Sequence, residues 1–158
     1  MGDRNNSGES SEKEKLLSQE FVVRYDYQRS LGEVLGRFFA GLKNREILGA
    51  RTPSGRVLVP PAECDPETGD AIDSLVDVGP GGVLTTWAWM PEARENQPVE
   101  GAFAWGLIQL DGADTSFLHM IRADFSALKT GMRVEAHWKD ERKGAIGDIA
   151  YFAPETRP

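Results

Sequence analysis

The sequence offers few residues whose types could perform chemistry. It has one cysteine, Cys64, and two histidines, His119 and His137, so nucleophilic, acid–base or metal chemistry must use these three side chains. Cys64 has acidic neighbours, which oppose formation of the thiolate that a nucleophile needs. Strand alternation predicts that His119 is a partly buried strand residue and that His137 is a surface residue. The sequence contains no G-x-S-x-G nucleophile motif that could act with either histidine. Asp111 and Asp114 lie close together, but Gly and Asp in LDGADT are typical of a hairpin loop. The sequence therefore indicates no catalytic site and predicts that the protein is not an enzyme.

The single cysteine lies in a stretch that has the layout of a zinc ribbon, RTPSGRVLVPPAECDPETGD. A ribbon holds zinc tetrahedrally through two cysteines in each of two turns. Here the first pair of positions holds Arg51 and Ser54, and the second holds Cys64 with Glu67 or Thr68. One thiolate cannot make a structural zinc site, so we expect a ribbon-shaped hairpin that binds no zinc and keeps its shape through packing and turn chemistry.

The charge distribution bears on whether the protein binds nucleic acids or smaller phosphate-bearing ligands. The formal net charge is −7, which disfavours broad binding to nucleic-acid backbones because that requires many lysines and arginines. Residues 63–77 carry six acids and no base, whereas residues 122–143 carry six bases against four acids. A phosphate-bearing ligand is best sought near the second segment, although a solvated surface of mixed charge is the simpler interpretation.

The chain, of 158 residues, divides into four regions. Residues 1–18 are polar and lack periodicity, which predicts a disordered tail. Residues 19–72 should hold a helix and the ribbon-like hairpin, residues 73–154 a β domain, and residues 155–158 a short tail. The N-terminus lacks the apolar segment of a signal peptide, and no run is long enough to span a membrane. We therefore expect a soluble cytoplasmic protein.

One amphipathic helix is predicted after the segment FVVRYDY, which is compatible with an extended conformation. Ser30 and Glu33 have the spacing of a capping box, so the helix should begin at Ser30. Its apolar residues recur at helical spacing and share one face: Leu31, Val34, Leu35, Phe38, Phe39 and Leu42. This face could pack on the core or meet a partner.

Strand patterns dominate the remainder. EILGAR and RVLVP flank the turn Pro53-Ser54-Gly55 and predict a hairpin. From residue 73 onward, five segments read as strands: GGVLTTWAWM, AFAWGLIQL, SFLHMI, MRVEAHW and IGDIAYF. The third and fourth are separated by ADFSALKTG, which has room for a short helical turn closed by Gly131.

Five strands with a helical insertion after the third match the layout of an OB-fold barrel, and a five-stranded sandwich fragment is the alternative. We favour the barrel because the second strand has a face of small residues that suits tight curvature. That face holds Ala102, Ala104 and Gly106, opposite Phe103, Trp105 and Leu107. The predicted fold is mainly β, with an N-terminal helix and degenerate zinc-ribbon hairpin before a five-stranded OB-fold barrel.

Alternation in the first barrel strand places four residues on one face: Val83, Thr85, Trp87 and Trp89. Trp87 and Trp89, with Phe103 and Trp105, could stack on bases as in barrels that bind single strands. These two strands carry no lysine or arginine for the phosphates. The barrel core or a protein interface is therefore the favoured role of these aromatics.

Taken in this order, the segments resemble a known family of OB-fold proteins. Its members have N-terminal helices, a rubredoxin-like zinc ribbon and an OB-fold barrel, and were long described as a domain of unknown function. The resemblance covers roughly residues 26–154 and is carried by LGRFFAGLKNREILGAR, GRVLVPPAECDPETGD, VGPGGVLTTWAWMP, AFAW, LIQLDGADTSFLHMI and GMRVEAHW. Because the cysteine quartet is missing, the chain resembles a zinc-less branch.

The resemblance implies a role beside acyl-CoA enzymes. Members of the family are non-catalytic partners of thiolase-fold proteins, including lipid-transfer-type thiolase-like aldolases of steroid side-chain degradation and acetoacetyl-CoA-forming thiolases, and some are fused to hot-dog-fold enoyl-CoA hydratases. In the family, ribbon and helices contact the thiolase, and the barrel helps to shape a CoA channel. The resemblance implies an accessory subunit of a thiolase-fold acyl-CoA enzyme, with a separate hydratase as a further candidate partner. The alternatives are a stand-alone CoA- or acyl-CoA-binding barrel and, on fold analogy alone, a single-stranded nucleic-acid-binding domain.

A contact with CoA would need cationic side chains for the phosphates. Six residues are candidates: Lys43, Arg45, Arg51 and Arg56 near the hairpin, and Arg122 and Arg133 on the barrel. No tightly bound cofactor is expected.

Overall fold

The computed structural model describes residues 20–28, 30–95, 97 and 99–156. The predicted tail of residues 1–18 lies outside these ranges, and the boundaries drawn between the four regions stay predictions. The described elements follow one another in this order: α1 (Gly32–Lys43), β1 (Ile47–Arg51), β2 (Val57–Leu58), β3 (Leu75–Val78), β4 (Gly81–Met90), β5 (Phe103–Leu110), β6 (Ser116–Ile121), β7 (Arg133–Trp138) and β8 (Ile149–Pro154). Within the described ranges, no helix combines the length and the apolar character that a membrane span requires.

Strands β4 to β8 form a closed barrel in the order β4-β5-β6-β8-β7. All neighbours are antiparallel except β6 and β8, which run parallel. A single 3-10 turn, Phe125–Ala127, follows the third barrel strand, and Gly131 takes a φ of 87° before β7. This arrangement confirms the five-stranded OB-fold barrel predicted from the sequence.

The small residues of β5 line the barrel interior. Ala104 is fully buried, and a Cβ atom on Gly106 would lie 2.6 Å from Leu84 Cδ1 and 2.7 Å from Ile121 Cγ1. Those separations are below van der Waals contact, so the interior of this narrow barrel has no room for a larger side chain at Gly106. The predicted small face therefore points into the barrel, where side chains of the neighbouring strands β4 and β6 fill the space in front of Gly106.

The predicted faces of β4 need a correction. The strand contains a bulge between Leu84 and Thr86, so Thr85 has no partner in the ladder with β5. Leu84 is fully buried, and beyond the bulge Trp87 and Trp89 pack against the same core. One extra residue reverses the alternation that follows it. The prediction that Val83 shares one face with the two tryptophans was therefore wrong.

The N-terminal elements form a second sheet, with the strand order β2-β1-β3. The hairpin of β1 and β2 was predicted, whereas β3 was not recognised as a strand; it pairs antiparallel with β1 from Ile47 opposite Val78. Phe38 and Leu42 of α1 belong to one continuous core with Phe117 and Ile108 of the barrel. The apolar face of the helix is thus used mainly for core packing.

The start of α1 also differs from the prediction. The helix begins at Gly32, after Leu31 in the N-cap position, and no side chain caps it. Ser30 lies one residue before the cap, where its Oγ is 3.4 Å from the Gly32 amide. The capping box of Ser30 and Glu33 is therefore absent, and Leu31 is half exposed instead of buried.

The last predicted strand, IGDIAYF, is shorter than expected. Ile146–Asp148 forms a 3-10 turn, and β8 begins at Ile149. The buried Asp148 carboxylate accepts hydrogen bonds from the amides of Lys143, Gly144 and Ala145 at 2.7 to 3.1 Å. These bonds fold the β7–β8 loop around one acidic side chain, so β8 begins only after Asp148.

Candidate functional site

The zinc-ribbon positions are held together by polar side chains. Thr52 and Ser54 share a hydroxyl hydrogen bond of 2.8 Å in the hairpin turn, and Arg56 forms an ion pair with Glu67 of the second turn. Cys64 is exposed. Within the part of the chain that the structure describes, no group of three or more His, Cys, Asp or Glu side chains could hold a metal ion. The ion pair thus joins the two turns that a ribbon joins through zinc, and the expectation of no zinc stays a prediction.

The two aspartates of the β5–β6 loop have structural partners. Asp111 receives two hydrogen bonds of 2.6 Å from Arg133, which also bonds Glu155 at 3.0 Å. The hydrogen bonds from Arg133 hold the pKa of Asp111 below its ordinary value. Asp114 Oδ2 accepts a hydrogen bond of 2.7 Å from the Val57 amide of β2. Each carboxylate therefore has a structural partner in the fold.

The two histidines lie on opposite sides of the barrel wall. His119 is buried beside Phe117 and Phe152, with ring centroids 5.6 and 5.4 Å away, and its Nδ1 has no hydrogen-bond partner among the described residues. Burial lowers the pKa of His119 below its ordinary value, which favours the neutral imidazole. His137 is exposed on β7 and stacks on Tyr151 of β8 at 4.9 Å. These positions agree with the sequence prediction, and they keep the two imidazoles from acting as a pair.

A groove of about 360 Å³ lies on the barrel between two of its loops. It is bounded by the end of the β4–β5 loop, by β6 and β8, and by the first residue after β7. Phe103, Met120 and Tyr151 supply its apolar lining. In OB folds, ligands bind on the face of the second and third strands between the loops that correspond to these two. The groove is therefore the candidate binding site of this fold.

Two cations give the groove its chemical character. Arg122 and Lys139 line it together with one acid, Glu100. The Arg122 guanidinium carbon lies 5.5 Å from the ring centroid of Tyr151, whose other neighbour is the stacked His137. Neither Arg122 nor Lys139 takes part in an ion pair within the described ranges. Two cations outside any ion pair, against one acid, beside an aromatic ring suit an anionic ligand that also has a flat or apolar portion.

The structure does not bring the six predicted CoA contacts together. Arg122 alone lines the groove, while Arg133 and Arg56 are committed to carboxylates. Arg51 donates to the Gly55 carbonyl at 3.3 Å within the hairpin. The two remaining candidates, Lys43 and Arg45, are exposed at the C-terminal end of α1. Their contact with CoA stays a prediction, and the geometry favours Arg122 over the others.

Sequence reasoning did not name two groove residues, Lys139 and Tyr151, although Lys139 belongs to the basic segment of residues 122–143. Tyr151 occupies the outward position beside the buried Phe152 on β8, and Lys139 immediately follows the last residue of β7. The signal that could have found them is the general rule that places OB-fold ligands between these loops.

The four predicted aromatics do not form one platform. Trp87 and Trp89 pack against Phe125 of the 3-10 turn, with ring centroids 5.9 and 5.4 Å apart. Phe103 instead packs edge to face on Trp105 at 5.4 Å. The first cluster closes part of the core, as expected for barrel residues.

Comparisons with known proteins bear on these observations. Residues 75–139 match the model of a family described as ChsH2, C-terminal OB-fold domain. A comparison with curated proteins found no match. Among solved structures, the chain resembles a DUF35-family protein of unknown function from Sulfolobus solfataricus, with a TM-score of 0.54 and 19% identity over 66% of this chain and 78% of that chain.

A second solved structure, described as Ltp2-ChsH2(DUF35) aldolase, gives a TM-score of 0.60 and 16% identity over 80% of this chain and 98% of that chain. At these identities the solved structures show a shared fold. Over residues 75–139 the chain is thus similar to the C-terminal OB-fold domain of ChsH2, which confirms the resemblance to an OB-fold family predicted from the sequence.

Proposed function

We propose that this chain is a non-catalytic accessory subunit that binds a thiolase-fold acyl-CoA enzyme and supports its active site. The observation that carries the proposal is the extent of similarity to the Ltp2-ChsH2(DUF35) aldolase, 80% of this chain and 98% of that chain. The barrel, residues 81–154, makes up less than half of the chain. The similarity therefore extends beyond the barrel into other parts of the chain. Because the description of that structure pairs ChsH2 with Ltp2, it supports a comparable partner here.

The surroundings of the reactive side chains support a non-catalytic role. His119 is packed between phenyl rings, Asp111 is bonded to Arg133, and Asp114 is bonded to the Val57 amide. Each of these groups is held in its present position by these contacts, and moving it toward a substrate would break them.

The outer face of the barrel supports contact with a protein. Leu107 of β5 and Leu118 of β6 are directly opposite each other in the ladder and exposed. Trp105 lies two residues before Leu107 on the same side of β5. Adjacent exposed apolar side chains of this kind are typical of protein interfaces.

The proposal is tested by co-expressing the tagged full chain with thiolase-fold proteins of its native host and measuring the mass of the purified species by light scattering. We expect a complex of defined stoichiometry that survives size exclusion. A chain that runs as a monomer and never elutes with such a protein would refute the accessory-subunit role. Lipid-transfer-type thiolases or aldolases that act on steroid or fatty acyl side chains are the first to try, and a separate hot-dog-fold hydratase as a further partner stays a prediction.

A second candidate function, a stand-alone CoA- or acyl-CoA-binding barrel, is favoured by the groove. Arg122 and Lys139 could bind phosphates while Tyr151 offers an aromatic face. Titration calorimetry of the isolated chain with CoA and with a long-chain acyl-CoA tests this function. Absence of heat with both ligands would exclude it and leave the accessory role unaffected.

A further inference from the structure

The segment before α1 is the most exposed apolar part of the described chain. We refer to residues 20–28, EFVVRYDYQ, as the N-terminal segment. Five of its side chains are large, apolar or aromatic, and 54% to 86% exposed: Phe21, Val22, Val23, Tyr25 and Tyr27. None of the five belongs to the cores described above. Contiguous apolar surface of this kind usually marks a site of contact with another molecule.

The backbone of the N-terminal segment is also without partners. Among the described residues, no backbone hydrogen bond involves residues 20–28. Arg24 Nε lies 3.1 Å from Asp26 Oδ1, so side chains two residues apart share one side, as in a strand. The segment contains neither proline nor glycine and is rich in β-branched and aromatic residues. It has the properties of a strand that lacks a sheet.

The side chains of the segment are segregated by strand alternation. One face carries Phe21, Val23, Tyr25 and Tyr27, and the other carries Val22, Arg24, Asp26 and Gln28. An extended peptide added to a sheet edge uses its main chain for affinity and alternate side chains for specificity. The first face is apolar enough to pack on such a sheet, and three of the four residues on the second can remain in water.

This chain offers little of its own for the segment to pair with. The barrel is closed and has no edge, and the outer side of β2 is bonded to Asp114, so the outer side of the four-residue β3 is the sheet edge that remains among the described strands. Residues 21–27 would span roughly 23 Å if extended, at ~3.3 Å per residue, which is more than a typical strand. The segment is therefore long enough to reach and line a strand of another protein.

We infer that the N-terminal segment docks as an added strand on an exposed sheet edge of the thiolase-fold partner, with the face of Phe21, Val23, Tyr25 and Tyr27 packed against that partner. The identity of the partner rests on the proposed function. The remainder of the inference rests on the exposure, the free backbone and the alternation of residues 20–28.

Two variants of the full chain test the inference. The apolar-face variant carries Phe21→Ser, Val23→Ser, Tyr25→Ser and Tyr27→Ser. The control variant carries Val22→Ser, Arg24→Ser and Asp26→Ser. Because all these side chains are exposed, both variants should keep the thermal stability of the unmodified chain. Dissociation constants for the co-purified thiolase-fold protein are then compared, and amide hydrogen exchange is measured in the free chain and in the complex.

We expect the apolar-face variant to bind the partner at least ~10-fold more weakly, and the control variant to bind within about twofold of the unmodified chain. The amides of residues 21–27 should exchange freely in the chain alone and become protected in the complex. Equal affinity of the apolar-face variant, or unprotected amides in the complex, would overturn the inference while leaving the proposed function intact. Protection of the same amides in a homodimer would overturn it in favour of a second copy. If no thiolase-fold protein binds the full chain, the proposed function fails, and the inference fails with it.

Discussion

Thr115 and Val59 are joined by two hydrogen bonds through one hydroxyl group. The Val59 amide donates to Thr115 Oγ1 at 2.7 Å, and that hydroxyl donates to the Val59 carbonyl at 2.9 Å. One residue earlier in the same loop, the Asp114 amide donates to the Val57 carbonyl at 2.8 Å. The β5–β6 loop thus takes the place of a neighbouring strand along β2 and satisfies buried backbone groups of the hairpin. This loop is a direct connection between the zinc-less ribbon and the barrel.

Replacing Thr115 with valine should destabilise the protein by about 1–3 kcal/mol, because the buried amide and carbonyl of Val59 lose their partner without a change of side-chain shape. The measurement is urea unfolding. Thr86→Val is the matched control, since Thr86 is exposed on β4 and makes no side-chain hydrogen bond within the described ranges. Equal unfolding midpoints for the two variants would show that the hydroxyl does not stabilise the connection.

Two glycines should respond to alanine in opposite directions. A Cβ atom on Gly82 would contact the Gln109 carbonyl oxygen and lie 2.9 Å from Leu110 Cα, both on the paired strand β5. Backbone atoms in a closed barrel cannot withdraw without disturbing the ladder, so Gly82→Ala should destabilise by ~1–3 kcal/mol or more. On α1, a Cβ atom on Gly36 would have no neighbour within 4 Å. Gly36→Ala should stabilise by roughly 0.5–1 kcal/mol because alanine has the higher helix propensity.

Melting temperatures of these two variants provide the measurement. A Gly82→Ala protein as stable as the unmodified chain would contradict the close packing of β4 on β5. A Gly36→Ala protein of lower stability would contradict the open position of that residue on the helix.

His119 should make stability depend on pH. Burial lowers its pKa in the folded protein, so the unfolded chain binds the proton more readily. The free energy of unfolding should therefore be highest above the unfolded pKa of ~6.5 and fall as the pH decreases through that value toward the folded pKa. The nearby charge of Lys139 acts in the same direction.

The measurement is urea unfolding between about pH 5 and pH 8, a window above the ordinary titration of carboxylates. His119→Leu should remove most of the decline, whereas the control His137→Leu, at an exposed position on β7, should retain it. An unchanged decline in His119→Leu would show that another group controls the acid sensitivity.

The barrel could be predicted from the sequence because its strands alternate and are separated by clear turns. LDGADT between β5 and β6 is one such turn, and the small face of Ala104 and Gly106 marked the interior. The bulge after Leu84 could not be predicted, because a bulge is defined by the register between two strands and leaves no local pattern in either. β3 was missed for a similar reason, since four residues with one central acid have too little periodicity without their partner β1.

The candidate site was predicted only in part. Arg122 stood out because it belongs to the more basic region of the chain. Lys139 and Tyr151 join it through the closure of β6 on β8, a contact between residues distant in sequence. Arg133 looked equally suitable, but its charge is neutralised by Asp111 and Glu155, which only the folded arrangement reveals.

The groove leads to a prediction about charge. If the barrel binds CoA, Arg122→Gln and Lys139→Gln should each weaken that binding by about tenfold or more, because a charge-assisted hydrogen bond to phosphate contributes ~1.5–3 kcal/mol. Affinity for CoA should also fall as salt is raised, since these cations are partly exposed to solvent. Calorimetry with CoA is the measurement, and Lys129→Gln is the control because Lys129 is exposed and does not line the groove. If Lys129→Gln lost as much affinity for CoA as the two groove variants, the effect would be one of general charge. If both groove variants kept their affinity for CoA, the phosphates would bind elsewhere on the chain.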